Sequence, residues 1–232
     1  MSQEAKTPWA RVAVQLAVVI VLIPLLPLLI SGRWGWGEAW VYAGIWIGGF
    51  AVSRALAARR HPDLLRERAR MLWHEDTVAW DRWLAPVVGI GAGLIPLVAG
   101  LNARFAPDTA LGGAVKAAAL VVILAAYALG TWAMMENRFF SGVVRLQTER
   151  GHTVVSSGPY AWVRHPGYAG ALLTYLATPV WLEAPWALLA AGLIAAVLVV
   201  RTSLEDRWLR ENLEGYAAYA GRVRWRLVPG VW

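Results

Sequence analysis

Six stretches of 15 to 19 residues without a charge recur along the chain, at 12–30, 39–53, 83–101, 117–135, 166–182 and 184–200. A helix crossing the hydrocarbon core needs roughly 20 predominantly apolar residues, with about 17 as a lower bound. Inside lipid every backbone polar group needs an internal partner, so a chain with this pattern is driven towards helices. The 39–53 stretch is short, but Gly35–Gly37 and Leu56–Ala58 extend it. The first stretch is longer than a signal-peptide core and lacks a small-residue cleavage site, so it reads as a retained span. Only Glu183 separates the last two, inside TPVWLEAPW, where Pro179 and Pro185 mark a tight turn. The expected fold is therefore all-α: a polytopic membrane protein with about six membrane helices, the last two a tight antiparallel hairpin over 166–202.

Composition supports the bilayer. Of 232 residues, 58% are hydrophobic and 16% charged, below the quarter usual in soluble domains. Several of the fifteen tryptophans stand near segment ends (Trp9, Trp34, Trp36, Trp83, Trp181, Trp186), as in interfacial aromatic belts. The net charge is +7. It falls between apolar segments, which suits an anionic lipid surface and not nucleic acid. With six spans, nineteen of the 22 basic residues share one side, and only Arg33, Arg104 and Lys116 take the other. Basic loops stay inside, so both termini and the long polar loops are expected to be cytoplasmic. Residues 1–140 then form four N-terminal spans with a cytoplasmic loop at 58–80, and 141–232 form a separate functional region.

Chemistry-bearing residues concentrate in that second region. In SSGPYAWVRHPGYAG, Pro166 fits the first turn of a helix with His165 at its cap. Such a helix start offers free N–H groups and a positive dipole end to an anion. Gly167 and Gly170 remove side chains where a ligand or another helix comes close, and Gly158–Pro159 makes a turn. The triplet RHP also occurs at 60–62, leading into DLLRERARM, which reads as an ordinary surface helix; the triplet alone means little. In RTSLEDRWL, Arg201 and Glu205 are spaced i,i+4, the spacing of a local ion pair. Taking Glu183 as the turn, His165 and Arg201 are each 18 residues away and should lie level. Upstream, HTVV (152–155) has extended character, leaving backbone groups for a ligand, with Gln147 and His152 nearby. Downstream, Leu204, Trp208, Leu213, Tyr216 and Ala220 form an apolar stripe, expected as a C-terminal amphipathic helix along the bilayer surface. The chain has no cysteine, and its four histidines fit no metal motif. Nucleotide-fold and serine-hydrolase signatures are also absent.

Read together, HTVVSSGPYAWVRHPGYAG, RTSLEDRWL and EGYAAYAGRVRWRLVPGVW resemble the isoprenylcysteine carboxyl methyltransferase family, integral membrane enzymes that use S-adenosylmethionine. The resemblance covers about 144–232. It implies cofactor contacts from Gln147, His152, Thr153, Val154, Val155, Tyr160, His165, Pro166, Gly167, Tyr168 and Glu205. It places Arg201 at the carboxylate of a hydrophobic or lipid-linked acceptor, and names Arg201 and Glu205 as the catalytic pair. Asp206 stands where a second glutamate is frequent, and Gly167 where a larger residue is. Glu205 would complement a cationic group of the cofactor, and the helix start at His165–Pro166 would receive its carboxylate. A carboxylate acceptor is already ionised at neutral pH, so no strong general base is required. A phospholipid amine methyltransferase, an NADPH-dependent membrane reductase of sterol-like double bonds and a small transporter are the competing readings.

Overall fold

The computed structural model describes residues 17–69, 74–106 and 110–232. Among them the regular structure is helical, with one isolated parallel bridge between Val163 and Trp225. A π-turn at Val18–Leu22 leads into α1 (Ile23–Ser31). Then follow α2 (Gly37–Arg60), α3 (Pro62–Ala69), α4 (Asp81–Gly91), α5 (Leu94–Phe105) and α6 (Gly113–Glu136). The last three are α7 (Pro166–Trp181), α8 (Ala187–Asn212) and α9 (Tyr216–Arg222).

Among the described residues, four helical stretches are long and apolar enough to cross a membrane: α2, the α4–α5 unit, α6 and α8. The fourth apolar window and α6 agree closely, because nothing in 113–136 breaks a helix except its glycine start. The 83–101 window is continuous in hydropathy but is broken at Ala92–Gly93, where Gly93 N–H turns back to Ile90 O. Residues 12–16 of the first window lie outside the described part, as do Trp9, Lys6 and Arg11. Trp34, Trp83 and Trp186 stand at helix ends with more than half their surface exposed (57%, 79% and 60%), the position an interfacial indole takes.

Helices α6 and α7 pack most closely. Gly170 makes this possible: a Cβ there would sit 2.7 Å from the backbone oxygen of Ala126, so the two helices meet backbone to backbone. A core of Tyr42, Ile95, Ala99, Tyr175, Leu182, Ala187, Ala191 and Ile194 ties α7 and α8 to α2 and α5. At one end, Lys116 bridges Glu38 (2.7 Å) and Glu183 (3.5 Å), and Glu183 also accepts from Leu111 N–H.

Three expectations change in detail. The turn after α7 occupies Leu182–Trp186, so its midpoint falls beyond Glu183. His165 is consequently level with Asp206 (Nε2 to Oδ1 3.5 Å), and Tyr168 with Arg201 and Glu205. The C-terminal stripe does not run along a bilayer surface as one helix. α8 ends at Asn212, Gly215 takes a left-handed conformation (φ 80°), and α9 buries Tyr216, Tyr219 and Ala220 against Leu213, Leu146 and Val154. Finally, α3 is no simple surface helix, since Leu64 is wholly buried with Ala57, Met134 and Phe140.

Candidate functional site

The segment between α6 and α7 has little regular structure, and polar side chains hold it in place. Arg145, nearly buried, donates to both oxygens of Glu67 on α3 (3.0 Å each), to Asp76 (2.7 Å) and to Glu149 (2.6 Å). Val78 N–H donates to Val144 O, and Val144 N–H to Asp81 Oδ2 (2.6 Å). Gln147 Nε2 donates to Phe139 O (2.8 Å), while its Oε1 accepts from Arg150. Residues 62–69 and 74–82 are thus fastened to 137–150.

This segment, with α4, the start of α7, the C-terminal half of α8 and the start of α9, lines a half-open cavity of about 320 Å³, within the usual size of small-molecule sites. Its wall brings together Gln147, His152, Thr153, Val154, Val155, Tyr160, His165, Gly167, Tyr168, Arg201 and Glu205. Pro166 lies off the wall; it occupies the first turn of α7, as its fixed φ favours. The HTVV segment forms no strand, and among the described residues no hydrogen bond engages the backbone of Thr153, Val154 or Val155. His152 packs against Phe139 with its ring tilted by 36° (ring centroids 4.6 Å) and accepts from Gln147 N–H through Nδ1. Burial, then the charges of Arg145 and Arg150, hold the His152 pKa down to about 4. Tyr160 donates its hydroxyl to Ala133 O (3.4 Å) and receives Asn137 Nδ2 (3.2 Å).

At the α7 head, His165 caps the helix and stacks parallel on Tyr168 (5.7 Å, 4°). Gly167 leaves room for Phe140, whose ring carbon would be 2.6 Å from a Cβ at that position. Tyr168 donates its hydroxyl to Glu205 Oε2 (2.7 Å), and the Arg201 guanidinium lies over its ring at 5.2 Å. The i,i+4 ion pair is not formed. Arg201 donates instead through Nε to Asp81 Oδ1 (2.7 Å) and through Nη2 to Asp81 Oδ2 (2.9 Å) and Gly142 O (2.9 Å). Its fork is therefore committed to a carboxylate of α4 that is fully buried, which leaves Nη1 as its open donor among the described residues.

Asp206, the residue beside Glu205, faces away from the cavity into a second network. It receives both Nε and Nη2 of Arg164 (2.6 and 3.0 Å), Nε of Arg210 (3.2 Å), Nε of Arg226 (3.1 Å) and the Tyr216 hydroxyl (3.1 Å). Arg164 also donates to the carbonyls of Val223 and Arg224. This joins the C-terminal tail to the α7–α8 head. Sequence reading missed Asp81, Arg68, Phe139 and Phe140, all within 1–140; a carboxylate at the mouth of an apolar window was the one signal for Asp81.

A chain of long apolar helices with a polar cavity among their charged heads has the construction of a multi-pass membrane protein with a site at one end of its helices. Residues 118–211 match the model of the Isoprenylcysteine carboxyl methyltransferase (ICMT) family, so the resemblance read from the motifs is shown over that stretch. Protein-S-isoprenylcysteine O-methyltransferase B of Arabidopsis thaliana is 28% identical over 105 residues, covering 44% of this chain and 53% of that protein. Probable protein-S-isoprenylcysteine O-methyltransferases of Oryza sativa subsp. indica and subsp. japonica are 33% identical over 89 residues, covering 38% of this chain and 47% of theirs. The chain spans about half the length of the curated relatives it matches.

Proposed function

We propose that the chain is an S-adenosylmethionine-dependent membrane methyltransferase that esterifies the carboxylate of a hydrophobic, lipid-linked acceptor, in the manner of isoprenylcysteine carboxyl methyltransferases. The observation that carries this reading is the cavity pairing Glu205 with Arg201 inside the stretch that matches the family. The residues fit such a cofactor: a carboxylate for its cationic groups, a helix start for its carboxylate and aromatic walls for its purine. When bound, that cofactor supplies an electrophilic methyl on a sulfonium. Tyr168 holds the Glu205 carboxylate by its hydroxyl and so fixes where negative charge sits. Asp81 fixes the Arg201 plane and leaves Nη1 for the acceptor. No residue has to remove a proton, because the acceptor is ionised at neutral pH. The protein's contribution is alignment and exclusion of water. Ala85, Val88, Gly89, Ala171 and Leu198 give the cavity an apolar side for the acceptor's lipid.

The same proposal includes six spans with 166–202 as a membrane hairpin, and the termini and site on the cytoplasmic side. Membranes containing the protein, given methyl-labelled cofactor and N-acetyl-S-farnesylcysteine, should yield a base-labile label, the mark of an ester. A base-stable label, or calorimetric binding of NADPH without S-adenosylmethionine, overturns the reading.

A further inference from the structure

Four arginines line the cavity: Arg68, Arg145, Arg164 and Arg201. Three are matched by carboxylates, Arg145 by Glu67, Asp76 and Glu149, Arg164 by Asp206, and Arg201 by Asp81. Arg68 is the fourth. Its Nη1 donates to Phe140 O (3.2 Å) and its guanidinium lies over the Phe140 ring at 5.3 Å, yet among the described residues it meets no carboxylate. Burial, and also the charge of Arg201, lower its proton affinity from the ordinary arginine value. The two guanidiniums rest on one short stretch of backbone, Arg68 on Phe140 O and Arg201 on Gly142 O, and Asp81 already holds two of the Arg201 nitrogens. One turn along α8 from Arg201 the imbalance reverses, since Glu205 is bonded by a neutral hydroxyl and has no cation within ion-pair distance among the described residues. Arg68 and Glu205 are both half-buried, so each charge is partly withdrawn from water with no counter-ion among the described residues, and a ligand that brings an anion to Arg68 and a cation to Glu205 would complete this wall.

We propose that Arg68 and the open Nη1 of Arg201 form a carboxylate seat, in which Arg68 is a binding residue and Asp81 a positioning residue. The choice of a carboxylate rests on the methyl-transfer reading; the unmatched positive charge does not. The seat would take the acceptor's carboxylate or the amino-acid carboxylate of the cofactor.

Calorimetry on the purified full chain separates these sources, with N-acetyl-S-farnesylcysteine, its carboxamide and S-adenosylhomocysteine as probes. Wild type should bind the acid at least tenfold more tightly than the carboxamide. Arg68→Gln should remove that preference while leaving carboxamide affinity intact, and Arg68→Lys should keep part of it. A tenfold loss confined to S-adenosylhomocysteine assigns the seat to the cofactor's carboxylate. Arg68→Gln affinities within twofold of wild type for all three probes overturn the seat. So does an equal loss for acid and carboxamide, which would mark a structural role. Should wild type bind none of the probes, the methyl-transfer reading fails. Palmitate against palmitamide then decides the seat, which falls if Arg68→Gln leaves their ratio unchanged.

Discussion

Asp206 gathers more bonds than any other side chain near the site, and it does so from a position almost free of solvent. Removing one partner of a buried, hydrogen-bonded ion pair costs about 3–5 kcal/mol, because the remaining charge stays buried. Asp206→Asn should therefore lower stability by roughly that amount, read as a fall in the midpoint of thermal unfolding in detergent. Arg210→Gln, whose side chain is 41% exposed, should cost well under ~1 kcal/mol. His152 supplies a pH signature. Its folded pKa of about 4 lies below the ordinary value near 6.5, so the folded state binds fewer protons than the unfolded one. The stability it contributes is complete above about 6.5 and is lost as pH falls towards 4. Unfolding temperatures measured across that window should fall less steeply in His152→Gln than in wild type.

At the scale of elements, the α6–α7 contact is the tightest test of the helix packing. Gly170→Leu would drive a side chain against the Ala126 carbonyl and should destabilise by about 1–3 kcal/mol, the cost of overpacking a close interface. Gly192→Leu, in open space on α8, is the control and should be nearly silent. Much at this scale was legible in the sequence. Charge-free windows foretold α2, α6 and α8, and Pro166 marked the start of α7. The break at Ala92–Gly93 was not, because hydropathy is blind to a turn made of equally apolar residues. Nor was the pairing of Arg201. Its i,i+4 neighbour Glu205 was visible in a line of text, whereas Asp81 lies 120 positions away and is chosen only by how the helices pack. The same holds for Glu67 and Arg145, 78 positions apart, which turned an expected surface helix into a fastening over the site.

For the whole molecule, the uneven placement of basic residues makes a claim about sides of a membrane. The chain has no cysteine, so single cysteines can be placed without background. In vesicles of known orientation, a membrane-impermeant maleimide should reach Arg222→Cys from the cytoplasmic face and Ala114→Cys only from the other. Labelling of both from one face would refute the six-span arrangement.

The bond from Asp81 to Arg201 bears on how such a protein can be rebuilt. The stretch that matches the family begins at residue 118, after Asp81, Glu67 and Arg68. Grafted alone onto a foreign helical scaffold, it would arrive with Arg201 stripped of its counter-ion and Arg145 left with Glu149 alone. A working transplant has to carry residues 61–89 along with it, and the recipient scaffold has to hold that loop against the helix heads. What looks like a portable module in the alignment is one half of an interlocking joint.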